Sequence, residues 1–552
     1  MALTAIRTAR RLTGRLADSL AGCRTLASLA APAEEVAASP PASLARGGQP
    51  LPHLHHALLE PGHLTPGIPA SEYAARRARL MASLPPGALV VLGAGPRVSM
   101  SGVIPFGYRP ASDLFYLTGL TQPGCVALLH GASYTLFVPD TDPGASVWDG
   151  AVLSVEDALS PGVGASGAAP LSSLGPALAA AAASASLVHT DDPAAWGGRP
   201  GPGGPPSLSH ATGVAPVPSP LISALSPAAA ALATAAASGR VRPLSPSIAA
   251  LRVLKSPAEV ALMARSAALA TAGLRAAAAA TAPGTPEWAL AAEFEYVTRS
   301  GGAARPAYPP VVAAGADACT IHYARADKEV REGELVLMDA GCELWGYASD
   351  VTRTWPAGGT FPPAARDVYD AVEAVHGACL AACVPGATLR SLHAQAALAL
   401  ADAALQLGAV APGPSPAAIV ASRAHSAFYP HALGHFLGLD THDVPGVGVD
   451  APLEPGAALT VEPGLYFPPG FLMTPWSRSA AGGLRPGPNA AALGGLAVRI
   501  EDDIVVSPSG TRPRVLSDGF PTARSAVEAL VGEAGAAAAH AAALAAGARV
   551  RR

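Results

Sequence analysis

Apolar and polar positions sort this chain into two ordered stretches separated by a low-contrast one. Residues 31–60 are rich in Pro, Ala and His and predict a linker. A helix is predicted over Pro69–Leu84 with Ser71 as its N-cap. Short apolar runs follow at Ala88–Leu92, Cys125–Leu129 and Tyr134–Val138, bounded by Gly/Pro turns, and read as strands of a mixed α/β domain. From Val155 to Leu225 the chain is Ala, Ser, Pro and Gly with little hydrophobic contrast. That predicts a low-complexity surface insertion carrying some Ala-rich helix. Order resumes near Arg240. Ser256-Pro257-Ala258-Glu259 has the N-cap, first-position Pro and acid of a helix start, and the helix should run toward Ala280. Another helix starts near Thr285-Pro286-Glu287. Strands and helices then alternate to about residue 520, and an Ala-rich helical tail begins near Ser525.

The 552 residues allow two or three domains and a sizeable core. Ala and Gly inflate the 50% apolar fraction, and only 5% of residues are aromatic. Net charge is −4, so there is no basic excess of the kind nucleic-acid binding leaves. No apolar run has the length and character of a membrane span, so stable membrane insertion is not expected. Six scattered cysteines form no C-x-x-C pair. Cys379 and Cys383, at helical spacing, read as buried free thiols ahead of a metal pair, and a reducing compartment fits. Residues 1–30 hold Arg7, Arg10, Arg11, Arg15 and Arg24 against one acid, Asp18, with Ser and Thr interspersed. This is transit-peptide composition, for the mitochondrion ahead of the chloroplast.

Candidate chemistry lies in four segments. The apolar run Glu334–Met338 ends on Asp339, and Asp350 follows eleven residues on. A hairpin turning about Leu344-Trp345 would set the two carboxylates opposite each other, where a divalent cation or a proton relieves their repulsion. Tyr429–Asp443 carries His431, His435 and His442 among glycines. Imidazole is the commonest metal ligand and the usual acid/base. Ala458–Val461 is an apolar strand running into Glu462. Leu496–Val506 contains Glu501, and strand alternation puts Arg499 on its face. Four carboxylates and one to three imidazoles suit a hard divalent ion such as Mn²⁺, or Fe²⁺ and Co²⁺. They argue against structural zinc. Shared carboxylates would hold two ions about 3.5–4 Å apart, the arrangement of hydrolases that activate a water.

The order Asp339, Asp350, His435, Glu462, Glu501 resembles the ligand set of the pita-bread metallopeptidases. Within them, His431–Asp443 and Thr320-Ile-His322-Tyr323 resemble the Xaa-Pro aminopeptidase branch. Gly48-Gln-Pro, Pro61–Ile68, Glu72-Tyr73, Arg76-Arg77 and Phe106–Gly119 resemble its mitochondrial members, the intermediate-cleaving peptidases and Xaa-Pro aminopeptidase 3. The resemblance spans roughly residues 47–150 and 240–520 and departs at the 155–225 stretch and at an extra Ser477–Leu493 loop.

The resemblance implies 1–46 as transit peptide and linker, an α/β N-terminal domain over 47–245, an α+β pita-bread (creatinase/aminopeptidase) catalytic domain over 246–520, and a tail from 521. It implies two divalent ions, with Mn²⁺ the expected metal, flanked or bridged by Asp350, Glu462 or Glu501, with Asp339 on one side and His435 on the other. Activated water would attack the first peptide bond of a peptide or imported protein in the mitochondrial matrix. Glu462 would shuttle the proton. His442 and His322 would stabilise the tetrahedral intermediate and orient the substrate, and His431 would contact the substrate backbone. Arg499 would order Asp350 or a neighbouring ligand. Asp113 would lie where substrate enters. The sequence leaves homo-oligomer or monomer open. Rival readings are general Xaa-Pro peptide turnover, a prolidase-type dipeptidase, a metal-free creatinase-like hydrolase and a non-catalytic pita-bread binding protein.

Overall fold

The computed structural model describes residues 49–531, apart from 53–54, 96, 103, 141–147, 149, 151, 191–219, 474–481 and 509–510. The Arg-rich residues 1–30, read as a transit peptide, Cys23 and most of the Ala-rich segment from Ser525 lie outside the described residues.

The N-terminal half is a six-stranded sheet. Its strands are β1 (Leu89–Gly93), β2 (Val126–His130), β3 (Ser133–Val138), β4 (Gly167–Pro170), β5 (Val188–Thr190) and β6 (Val241–Pro243), in spatial order β6-β5-β1-β2-β3-β4. The central pairs β1/β2 and β2/β3 are antiparallel, and the outer pairs are parallel. Both faces of β1 are covered. Leu89 and Val91 enter one core and Val90 and Leu92 the other, which is why its sequence is a continuous apolar run.

Helix α1 (Ala70–Ser83) is capped by Pro69 and not by Ser71. The chain is still extended through the strand Ile68–Pro69, and Pro69 has ψ 153°, so the helical turn begins one residue before Ser71. Helix α2 (Ser112–Thr118) ends on Gly119, whose φ of 68° closes it in the left-handed conformation.

The reading of 155–225 as a surface insertion is corrected. β4, β5 and α3 (Leu174–Ser184) fall inside it, and α4 (Pro220–Ala237) begins there. β4 and β5 are strands of the sheet itself, and α3 packs on α4. Ala182, Ala185, Ala228 and Ala235 are buried with Leu174, Leu178 and Leu232 in the core on that face. Alanine lets the helices sit close but hides the amphipathic contrast from which an element is read. Only 191–219 of the stretch lies outside the described residues.

Helix α5 (Ser245–Arg252) leads into the catalytic half. Helix α6 (Pro257–Ala280) opens with the expected capping box: Ser256 Oγ accepts from the Glu259 backbone, and the Glu259 side chain accepts from the Ser256 backbone. Helix α7 (Glu287–Ser300) packs along it. Helices α8 (Pro363–Ala382) and α9 (Leu389–Gln406) pack together, and their buried faces share one large core with the strands. In front of these helices run β7 (Val311–Ala314), β8 (Leu335–Ala340), β9 (Cys342–Leu344), β10 (Tyr347–Ala348), β11 (Val351–Pro356), β12 (Ala458–Val461), β13 (Gly464–Phe467), β14 (Leu496–Arg499) and β15 (Asp502–Val505). Hydrogen bonds between these segments hold the curved surface together. Glu501 N donates to Thr352 O (3.1 Å), Thr460 N to His435 O (2.9 Å) and Glu462 N to Leu433 O (2.8 Å).

The described part of the Ser477–Leu493 loop, residues 482–493, seats against the turn after α9. Ala411 N donates to Arg485 O and Gly487 N to Ala409 O. Cys125, Cys342, Cys379 and Cys383 are buried free thiols. No helix among the described residues is long and apolar enough to cross a membrane.

Candidate metal centre

Asp339 and Asp350 sit on one hairpin, but its register differs from the expectation. Trp345 (φ 51°) and Gly346 (φ 86°) form the turn, and Leu344 pairs with Tyr347. Two central residues with positive φ give the tight turn that matches strand twist. Asp339 therefore pairs with Thr352, and Asp350 lies diagonal to it, two residues away on the same face. The Tyr308 hydroxyl reaches both carboxylates, 2.5 Å from each Oδ1. Gly341 has no alternative between the two aspartates. A Cβ there would stand 1.7 Å from the Ser349 carbonyl oxygen.

His435 comes off the Gly434 turn, where a Cβ would lie 2.0 Å from Thr460 O. Its Nδ1 donates to the Phe436 carbonyl at 3.1 Å, which leaves Nε2 as the inward-facing atom, protonated toward Asp350 without metal and a ligand when it loses that proton. Nε2 is 3.4 Å from Asp350 Oδ2 and 3.7 Å from Glu462 Oε1. Ligand atoms of Asp350, His435 and Glu501 all lie within 4.8 Å of one another.

Arg499 binds the neighbouring ligand and not Asp350. Its Nη2 donates to Asp339 Oδ2 (2.5 Å), Nε to Thr352 Oγ1 (2.9 Å) and Nη1 to the Tyr466 hydroxyl (2.8 Å). Thr352 Oγ1 in turn donates to Glu501 Oε2 (2.6 Å). Asp503 Oδ2 accepts the Asp350 backbone N–H at 3.1 Å.

The donor set fits divalent cations. Burial pushes the Glu462 carboxyl up to about 7, although His435 and Arg499 pull it down. Burial, then the charges of Asp350, Glu462 and Asp339, hold Glu501 well above the usual carboxylate range. Burial also raises Asp339 against the pull of Arg499. Burial alone would lower His435, but its hydrogen bond to Asp350 and the charges of Asp350 and Glu462 outweigh that and raise it to about 9. Four carboxylates around one guanidinium call for added positive charge if all are to ionise together.

Around this cluster stand the other predicted histidines. The His442 ring centroid is 4.3 Å from that of His435, and burial lowers its pKa. His431 Nδ1 lies 3.5 Å from Glu462 Oε2 and Nε2 is 2.8 Å from the Tyr466 hydroxyl. Burial, then Arg499, drives its pKa down to about 3. His322 is exposed, and its charge bears on both His431 and His442. Asp113 is not at the cluster. Its Oδ1 accepts from Arg252 Nη1 at 2.6 Å, in an ion network between the two halves of the chain. Asp113 is thus held by Arg252 away from the ligand atoms, and its place at substrate entry is an expectation that this pairing leaves open.

Tyr308, Thr352, Tyr466 and Asp503 were not singled out from the sequence. Strand alternation from Asp350 could have found Thr352. Tyr308, in Ala307-Tyr308-Pro309, has no local signal.

This arrangement, buried carboxylates and an imidazole cupped by curved sheet behind an α/β domain, is that of a metal-dependent aminopeptidase. Residues 261–508 match the metallopeptidase family M24 and residues 73–189 the N-terminal domain of aminopeptidase P. The chain is 34% identical over 485 residues to the mitochondrial intermediate cleaving peptidase 55 of Arabidopsis thaliana, covering 88% of this chain and 87% of that protein. It is 32% identical over 503 residues to human Xaa-Pro aminopeptidase 3, covering 88% and 91%. Among solved structures, the Pseudomonas aeruginosa aminopeptidase PepP superposes with a TM-score of 0.71 at 32% identity, over 86% of this chain and 99% of that one. Aminopeptidase P of Escherichia coli with the inhibitor Pro-Leu gives 0.70 at 28% identity, over 86% and 99%. The chain belongs to metallopeptidase family M24 and is a metallopeptidase of the Xaa-Pro aminopeptidase type.

Proposed function

We propose that the protein removes single N-terminal residues from imported mitochondrial proteins, with two divalent ions, Mn²⁺ by donor chemistry, held by Asp339, Asp350, His435, Glu462 and Glu501. The observation that carries this is the meeting of ligand atoms of Asp350, His435 and Glu501 within 4.8 Å, with Glu462 3.7 Å from the same imidazole and Asp339 joined to Asp350 through the Tyr308 hydroxyl. Ions bound there supply Lewis acidity, which acidifies water and polarises a carbonyl.

The chain's own groups do the rest. Glu462 is the proton carrier: its carboxylate lies 3.7 Å from the His435 imidazole and beside His431, and burial favours its protonated form, so it can take and return a proton at the cluster. His442, an exposed side chain whose pKa is lowered by desolvation of its ring and by His435, donates to the oxygen on which negative charge develops. His431 is fixed between Tyr466 and the Ala432 carbonyl and meets the substrate backbone. His322, exposed near both, orients the substrate. Arg499 holds Asp339 in place and leaves Asp350 to the cations.

The mitochondrial part rests on the Arg-rich, acid-poor residues 1–30 and on the name of the Arabidopsis thaliana relative. General Xaa-Pro peptide turnover is the second reading, favoured by the name of the human relative. A ladder of peptides from two to twelve residues, with and without Pro in second place, separates the readings. Processing predicts cleavage of the longer peptides whether or not Pro follows the first residue. Cleavage confined to Xaa-Pro peptides would move the function to peptide turnover. Cleavage of dipeptides alone would make it a dipeptidase.

A further inference from the structure

The segment between His435 and His442 is gripped by charged groups that the chemistry above does not use. Asp443, next to His442, has a side chain only 1% exposed. Its Oδ2 accepts from Lys255 Nζ at 2.9 Å, its Oδ1 is paired with Arg252 Nη2, and its backbone N–H donates to Phe436 O. The loop is thereby closed across its base, with one histidine at each end. Gly438 is needed for this, since a Cβ would stand 2.4 Å from Asp443 Oδ2.

Arg252 does more than pair with Asp443. Nη2 also reaches Asp440 Oδ2 at 2.7 Å, and Nη1 reaches Asp113 Oδ1 at 2.6 Å in the N-terminal domain. From the same domain, Arg109 Nη2 donates to Leu439 O (2.5 Å) and to Asp440 Oδ1 (3.1 Å). Its Nε donates to Glu343 Oε2 at 2.5 Å, on the hairpin that joins Asp339 to Asp350. One guanidinium thus ties the hairpin of the aspartates to the loop of the histidines.

We propose that Arg252, Asp443 and Asp440, anchored by Arg109 and Asp113, form a positioning clamp through which the N-terminal domain sets the His442 imidazole against the reacting carbonyl. These hydrogen bonds and ion pairs of the clamp residues go to one another, to Lys255, to Glu343 and to the loop, and to none of the five metal ligands. They fix the loop that carries His442, and misplacement by about 1 Å costs roughly a hundredfold in rate. A neutral Asp440 side chain weakens the grip of both guanidiniums on the loop and leaves the buried Asp443 pair in place.

This rests on His442 acting in the transition state, and the test separates the two claims. Asp440→Asn and Arg252→Lys are each made alone and in a His442→Ala background, with kcat, KM, Mn²⁺ affinity and thermal midpoint measured on the full chain. Asp440 is 35% exposed, so its isosteric variant folds even if the Arg252 variant does not. Asp440→Asn is expected to lower kcat by roughly tenfold to a hundredfold, with KM and Mn²⁺ affinity within about twofold. In the His442→Ala background that loss should vanish, the mark of two residues acting through one contact. A loss that persists in full in that background, or an unchanged kcat, overturns the clamp while His442→Ala alone still lowers kcat. If His442→Ala leaves kcat intact, the role of His442 and the clamp both fall.

Discussion

Glu462 sits where two demands meet. Ligation wants an ionised carboxylate, and proton transfer wants one that titrates near neutrality. Burial raises it to about 7, and His435 and Arg499 keep it from going further. Glu462→Gln should keep the fold and lower turnover by roughly 10²–10⁴-fold; thermal melting and steady-state kinetics check both halves, and turnover within threefold of wild type would take the role away. The same carboxylate gives a pH prediction for the protein stripped of metal. Its folded pKa lies above the ordinary 4.5, so its contribution to stability is full below 4.5 and lost as pH rises through about 7. His435, raised from 6.5 to about 9, adds a loss of the same sign as pH rises through 9. His431, lowered to about 3, acts oppositely, but only as pH falls below 6.5. Between pH 6.5 and 9 the metal-free thermal midpoint should therefore fall, and saturating Mn²⁺ should flatten the slope. Equal slopes with and without metal would show that these groups do not face the cation. Most of these residues were legible because an acid that ends an apolar strand needs a partner. Their partners were not. Tyr308 comes from a Pro-rich loop remote in sequence, and Arg499 chooses Asp339 by a geometry that alternation does not contain.

At the scale of elements, the hairpin of Asp339 and Asp350 shows what a pattern conveys and where it stops. The apolar run of β8 and the acid at its end were readable. The register was not, because it depends on Trp345 accepting a φ of 51° ahead of Gly346, and Trp gives no hint of that. The pairing moves by two residues, so both aspartates keep the same face and the site survives the misreading. The turn at Gly341 is less forgiving. Gly341→Ala drives a methyl into the Ser349 carbonyl and should destabilise the fold by about 1–3 kcal/mol. Because the strain falls between the two aspartates, Mn²⁺ affinity should drop as well. Denaturant melts and metal titration test this, and wild-type values in both would mean that the hairpin relaxes freely. Strands β4 and β5 failed to announce themselves for another reason. Gly167–Pro170 is Gly-Ala-Ala-Pro, and the helices that cover this face are mostly Ala, so their burial leaves no alternation to read.

For the whole molecule, the two-domain plan was legible, while the structural role of 155–190 was obscured by composition. The leader bears on location. Residues 1–30 fused to a fluorescent reporter should enter mitochondria, and deleting the gene should leave matrix proteins one residue longer at their N-termini. Plastid-only targeting would refute the first expectation. Unchanged N-termini would leave Xaa-Pro peptide turnover as the activity.

The central claim is that the five converging ligands hold the cations on which hydrolysis depends. Its most direct measurement is a metal titration of the chelated protein, with bound metal and release of the N-terminal residue followed in the same sample. No release is expected without metal, and recovery should saturate as the second equivalent of Mn²⁺ binds. Asp350→Asn should neither retain the metal nor recover. Full release from protein shown to be free of metal would contradict the claim.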